Sequence, residues 1–229
     1  MKHSIFIICF FPLVVLSQEE NLKPTIIDNT DPSRWIYVSP DEQPGLRGDQ
    51  YLFDDWQIAT LTFKENVVKE GLLVNLNLED DELEIATTEG IKIVPKGFIT
   101  SWKIKDHLFV SLYGSNDKCL ESDKSYAEIL SENDNLVLLK IQDLEKRNPA
   151  YNEKLGIGDN NYRYLREDKL ILLNDGKCLE ITGGSGKREK SLIQFLRNQG
   201  ISKLIKENDL NLKDEKDLVT LIELIAHNL

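Results

Sequence analysis

The chain has 229 residues, 41% of them hydrophobic, and its 39 Asp and Glu against 28 Lys and Arg give a formal charge of −11 at pH 7. So acidic a protein repels phosphate backbones and anionic lipid, which excludes nucleic-acid and membrane-surface binding from the expected functions. The length suffices for one sizeable core, or one core with an appendage.

Lys2 and His3, an apolar run from Ser4 to Leu16, and the small and polar residues after it follow the plan of a secretory signal peptide. The run is shorter than the roughly 20 residues that span a bilayer, and Pro12 interrupts it. Cleavage is expected between Ser17 and Gln18, leaving an exported chain with no integral membrane segment, in the periplasm, attached to the cell envelope or outside the cell. Residues 18–50 carry Pro24, Pro32, Pro40 and Pro44, which prevent a helix, so they read as an extended arm. Within it Trp35-Ile36-Tyr37-Val38 has the composition of a short edge strand. Arg47-Gly48-Asp49 matches a cell-adhesion tripeptide, although Gly48 fits a turn as well.

From residue 51 to 182 the pattern is that of strands. Ala59, Leu61 and Phe63 share one parity, and Lys64 to Lys69 should turn with Asn66 near the tip. Leu72, Val74, Leu76 and Leu78 alternate with Asn75 and Asn77, and the alternation resumes at Leu83 and Ile85, then at Ile91 and Ile93. A period of two puts the aliphatic set on a core face and the asparagines in water. Glu79 to Glu82 form an acidic turn. Phe98, Trp102 and Ile104, then Leu108, Val110 and Leu112, continue the series. Two hairpins follow, one around residues 131–135 and one between Tyr162–Leu173 and Lys177–Ile181, where the Asp175-Gly176 pair tolerates positive φ. After Gly183-Gly184-Ser185-Gly186 the period becomes helical. Leu192, Ile193 and Leu196 lie in a first helix stopped by Gly200, and Ile201, Leu204 and Ile205 in a second. Leu218, Leu221, Ile222 and Ile225 form the stripe of a third, capped by Asp214.

The fold class is therefore mainly β: an antiparallel meander of about ten strands, as a sandwich or a partly closed barrel, with a small three-helix C-terminal unit over residues 187–229. That unit is too small to be stable alone and is expected to dock on the sheet.

Chemistry-bearing residues are scattered. The glycine run before Lys187 lacks the spacing of a phosphate loop, with Ile181 and Arg188 at the diagnostic positions, and a hinge is expected there. After cleavage the histidines are His107 and His227, with no metal-ligand spacing, and no cofactor is expected. Cys119 and Cys178 are either an export-permitted disulfide, closing a loop of roughly 60 residues, or two apolar thiols. Trp56, Phe63, Phe98 and Trp102 either fill the core or line a pocket for a small apolar ligand.

Tyr51-Leu52-Phe53, the alternating strand to Leu78, the acidic turn Glu79–Glu82 and Leu83-Glu84-Ile85 form one pattern. The tail adds Lys190-Ser191-Leu192, Ile205-Lys206-Glu207-Asn208 and Leu210-Asn211-Leu212-Lys213 before a Leu/Ile-rich helix. Together they resemble a group of exported proteins of bacteroidete-type Gram-negative bacteria with no assigned activity. The resemblance implies an envelope or periplasmic setting and a β region closed by C-terminal helices. It brings no catalytic residue. The expected role is non-catalytic: a protein-interaction or scaffold module. The alternatives are a barrel that binds a small lipid-like ligand, and a carboxylate-dependent hydrolase, which would show two acids of raised pKa in one cleft.

Overall fold

The computed structural model describes residues 36–38, 46–47, 50–114, 120, 124–133, 135–148 and 162–227. The expected signal segment with Ser17 and Gln18, most of the arm, and Cys119 lie outside these residues. Two short arm strands, β1 (Ile36–Val38) and β2 (Leu46–Arg47), precede β3 (Gln57–Phe63), β4 (Val68–Asn77), β5 (Glu82–Thr87) and β6 (Gly90–Ile93). Then come β7 (Ile99–Ile104), β8 (His107–Ser111), β9 (Tyr126–Asn133), β10 (Leu136–Arg147), β11 (Tyr162–Asn174) and β12 (Lys177–Glu180). Three helices close the chain: α1 (Ser185–Leu196), α2 (Ile201–Glu207) and α3 (Glu215–His227).

All the strands belong to one sheet in the order β1-β6-β5-β4-β3-β7-β8-β9-β10-β11-β12, with β2 beside β11. Every pairing is antiparallel except that of β2 with β11. The expected class is thus the observed one, but sequential pairing breaks where β7 returns to β3 instead of joining β6, and the arm strands β1 and β2 pair with β6 and β11. The hydrogen-bonded ladder does not close, but the sheet curls. Val38 and Leu46 are close in sequence and can be at most about 29 Å apart, whereas ten flat strand spacings would separate β1 from β2 by roughly 48 Å. Side chains also cross the gap. Arg166 of β11 donates to the carbonyl of Tyr51, and Lys146 of β10 reaches Glu79 at 3.5 Å.

The concave face of the first strands holds one apolar cluster, with Leu61, Leu72, Val74, Leu76, Leu83, Ile85, Ile99, Trp102, Phe109 and Tyr126 among its members. A second cluster joins Leu136, Leu138, Leu170 and Leu172 to the helices through Leu192, Ile201, Leu218, Leu221, Ile222 and Ile225. A third, with Leu112, Leu120, Leu139, Ile141 and Ile171, lies on the opposite face of β10 and β11. The stripe expected on α3 is therefore the one that packs. Asp214 accepts the amide of Lys216 at 2.8 Å as its cap.

Several sequence readings need correction. Asn75 and Asn77 are buried rather than wet, and so are Glu84 and Lys92: the central strands are covered on both faces. Ile93 pairs with Glu84 and Ile91 with Ala86, so these isoleucines lie on the face opposite Leu83 and Ile85. On β8 the residue driven into the first cluster is Phe109, while Leu112 joins the third and Val110 packs against it. The glycine run is no hinge, since α1 begins within it at Ser185 and stops at Arg197, in the left-handed region, before Gly200. Arg188 then ties this turn to the carbonyls of Gly183 at 3.0 Å and Leu212 at 2.7 Å.

Candidate functional site

The aromatic residues do not surround a cavity. Trp102 is fully buried and stacks on Phe109 with ring centroids 3.9 Å apart and planes 8° from parallel. Tyr126 meets the indole edge-on at 6.2 Å, and Phe53 meets Phe109 at 6.4 Å. Stacked and T-shaped contacts of this kind add to plain burial, and they fill the space a ligand would need. Phe63 flanks the cluster, Trp56 is half-buried at the surface, and Phe98 precedes β7 and points outward. The four aromatics singled out from sequence are therefore not brought together. Cys178 of β12 is disulfide-bonded and packs beside the third cluster.

The acidic turn is a brace. The Oδ1 of Asn77 accepts the amides of Glu79 and Asp80 at 3.1 and 3.3 Å. Its Nδ2 donates to Asp80 at 3.0 Å and to Glu84 at 3.3 Å, and the Tyr51 hydroxyl donates to the other Glu84 oxygen at 3.1 Å. Asp81 accepts the amide of Ser125 at 2.9 Å and its hydroxyl, and pairs with Lys96 at 2.7 Å. One turn thereby ties β4 and β5 to the start of β9. Burial raises the pKa of Glu84 against the hydrogen bonds from Asn77 and Tyr51, and burial with the nearby Asp80 raises that of Glu82. Two carboxyl groups of raised pKa on one strand are what a hydrolase would show. Here, however, Glu84 is 2% exposed, and its carboxylate oxygens are engaged by Asn77 and Tyr51, so the arrangement holds the fold.

A polar seam separates the first two apolar clusters. His107 contacts the buried Glu128 at 2.5 Å, and Gln142 donates to the other Glu128 oxygen at 2.9 Å. Lys140, opposite Glu128 in the ladder, pairs with Asp168 at 3.3 Å and with Glu215 at 3.0 Å, linking the sheet to the start of α3. Burial would lower the pKa of Lys140, but the bonds to Glu215 and Asp168 outweigh it and the net shift is upward. Beyond the seam, a groove of about 450 Å³ runs between β9 and α3, lined by Ser131, Asn133, Thr220, Glu223, Leu224 and His227, with Glu132 at its edge. No residue of the aromatic stack lines it. Among the described residues no group of three or more His, Cys, Asp or Glu is placed to hold a metal ion, and no helix is long and apolar enough to cross a membrane.

The distinctive surface lies at one end of β3, β4, β7 and β8. Val67 and Val68 follow the turn Lys64–Asn66, which falls where sequence placed a turn and holds Glu65 and Asn66 at φ 67° and 59°. The carbonyl of Val67 accepts the amide of Phe63 at 2.8 Å, and that of Phe98 accepts the amide of Lys64 at 2.9 Å. Gly97 adopts φ +79°, and a Cβ there would stand 2.4 Å from the Tyr113 ring. Only glycine lets that ring lie against the chain beside Phe98. Val67, Val68, Phe98 and Tyr113 are 48, 53, 40 and 62% exposed, so four of the six large exposed apolar side chains among the described residues share one end of the sheet. Sequence reading missed this because it placed Phe98 on the parity of Trp102. The shift in register between Thr62 and Phe63 breaks that parity, and Ile99 enters the core instead.

Fold and surface together define a class: a curled, open antiparallel sheet with a filled interior, three helices packed on one face and an apolar end. Comparison with family models, curated proteins and solved structures found no match, so the functional reading rests on this chain's own residues.

Proposed function

We propose that this is an exported, non-catalytic protein of the cell envelope that acts by binding another protein through the apolar end formed by Val67, Val68, Phe98 and Tyr113. The observation that carries the reading is the grouping of these four side chains at one sheet end. Singly exposed apolar residues are ordinary, whereas several grouped at one place point to an interaction site. Aromatic residues with aliphatic neighbours are also the usual anchors of protein interfaces. The stacked interior argues against a small apolar ligand, and the engagement of Glu84 argues against carboxylate catalysis.

The test uses the mature chain immobilised and exposed to envelope extract, with bound proteins and lipids identified by mass spectrometry. A protein retained by the wild type and by a Tyr162→Ser control, but lost with Val68→Asp or Phe98→Asp, supports the reading. Retention of lipid alone, or retention indifferent to both patch variants, overturns it.

A further inference from the structure

Among the described residues four buried side-chain atoms have no hydrogen-bond partner: Trp102 Nε1, the Tyr126 hydroxyl, Gln142 Oε1 and the Tyr164 hydroxyl. The last is on β11, opposite Lys146. The other three gather on the concave face, where the aromatic interior meets the polar seam. Trp102 pairs with Phe109, Phe109 with Glu128 and Glu128 with Lys140, so one row of side chains crosses four strands. Tyr126 lies two residues from Glu128, and Gln142 two from Lys140, on that same face. The Tyr126 ring meets the Trp102 indole at 6.2 Å between centroids, and Gln142 donates to Glu128 at 2.9 Å. Trp102, Tyr126 and Gln142 are 0, 3 and 6% exposed, and interiors seldom leave such groups without a partner.

The three groups do not satisfy one another by turning. The stack with Phe109 at 3.9 Å fixes the indole. Rotating the Gln142 amide to offer its N–H groups to Tyr126 would set its oxygen against the Glu128 carboxylate. Burial raises the pKa of the Tyr126 hydroxyl, so it stays a donor. Whatever completes the set must accept from an indole N–H, meet a phenol O–H and donate to an amide oxygen. A cation is refused by the indole, an anion by Glu128 and the amide oxygen, and an apolar guest satisfies none of them. A bulkier polar molecule would displace the packed rings. Water meets all three, and buried waters typically make about three hydrogen bonds to groups of this kind. We propose that this joint is an internal water site, where ordered water accepts from Trp102 Nε1 and the Tyr126 hydroxyl and donates to Gln142 Oε1. The bridge ties the aromatic interior to β10. It communicates with solvent along the seam through Glu128 and His107, whose side chain is 57% exposed.

Tyr126→Phe removes one hydroxyl and keeps the ring. If that hydroxyl is bonded to internal water, the urea midpoint of the full chain should fall by roughly 0.3–0.5 M. A hydroxyl without a partner is dispensable, so an unchanged or raised midpoint overturns the proposal. Oxygen-17 relaxation dispersion of the solvent reports water held inside the folded protein. Long-lived water is expected in the wild type, and its contribution should drop in Tyr126→Phe combined with Gln142→Met, where only the indole N–H remains. Absence of long-lived water, or an equal contribution in the double variant, overturns the site. Gln142→Met also takes a bond from Glu128; should the double variant not fold, a high-resolution crystal structure of the wild type decides. Solvent density within hydrogen-bond distance of Trp102 Nε1 supports the proposal, and a dry indole overturns it.

Discussion

The two halves of the sheet solve the problem of a buried interior in different ways. From β3 to β8 the concave face closes over large aromatic side chains, and the convex face of β4 and β5 carries buried amide and carboxyl groups, each given partners. From β9 to β12 the buried apolar residues are mostly aliphatic, both faces of the β10–β11 hairpin are covered, and one of them is roofed by helices. In the first half bulky rings fill the interior. In the second, helices are laid on one face. The difference teaches that the helices form part of the second interior, and that the first half is independent of them.

That contrast can be tested, beginning with the largest effect. Trp102→Ala removes the centre of the aromatic stack and should lower unfolding free energy by about 3–5 kcal/mol, read by chemical denaturation. Leu221→Ala strikes the interior under the helices and should cost about 2–5 kcal/mol. If the halves are as distinct as their packing, it will loosen helical circular dichroism at denaturant concentrations that leave the Trp102 near-ultraviolet signal intact. Coincident loss of both signals would show one cooperative unit.

A smaller effect is expected on the convex face. Asn75 accepts the amides of Phe53 at 3.2 Å and Leu76 at 2.9 Å and donates to the carbonyl of Phe53 at 2.8 Å. It thereby replaces ladder bonds where the chain leaves β4 between Tyr51 and β3. Asn75→Ala strands those groups and should cost about 1–3 kcal/mol, with faster amide exchange at Phe53 and Leu76.

The smallest effect is a dependence on pH with two opposed signs. Glu82 and Glu84 titrate above their ordinary 4.5 in the folded chain, chiefly through burial. Between 4.5 and the raised values the native state holds more protons than the unfolded one, so stability increases as pH falls through that window. Asp143 runs the other way. Burial would raise its pKa, but the bonds from Lys124 and Lys169 hold it below the ordinary 3.8, and its contribution is lost as pH falls through the depressed value. The melting temperature should therefore climb on mild acidification and drop in stronger acid. Glu84→Gln should flatten the climb and leave the drop.

Much of this was legible in the sequence. Alternation at Leu72–Leu78, the Asp175-Gly176 turn, with φ 48° and 70°, and the stripe of α3 each follow from local rules that the tertiary structure respects. Parity failed at the joints. The register of β6 against β5 is set by the two-residue turn at Thr88 and Glu89 and the shift between β3 and β7 by a pairing distant in sequence, and each moves isoleucines or Phe98 to the other face. The buried asparagines were misread because polarity reports solvent only when nothing else supplies hydrogen bonds. Asn75 and Asn77 are satisfied by backbone and by one another's neighbours. The apolar end was invisible for the same reason, since it assembles from three separate turns.

β3 is bonded on both sides to partners from different runs of the chain, β4 on one flank and β7 on the other. Its first flank forms by simple hairpin zipping, but the second waits until the excursion from Phe63 to Ile99 has folded back. Loop-closure entropy opposes that return until Trp102 finds Leu61. The rate of refolding should accordingly be governed at this splice, with substitutions along β7 slowing the forward reaction and those in α3 mainly hastening the reverse.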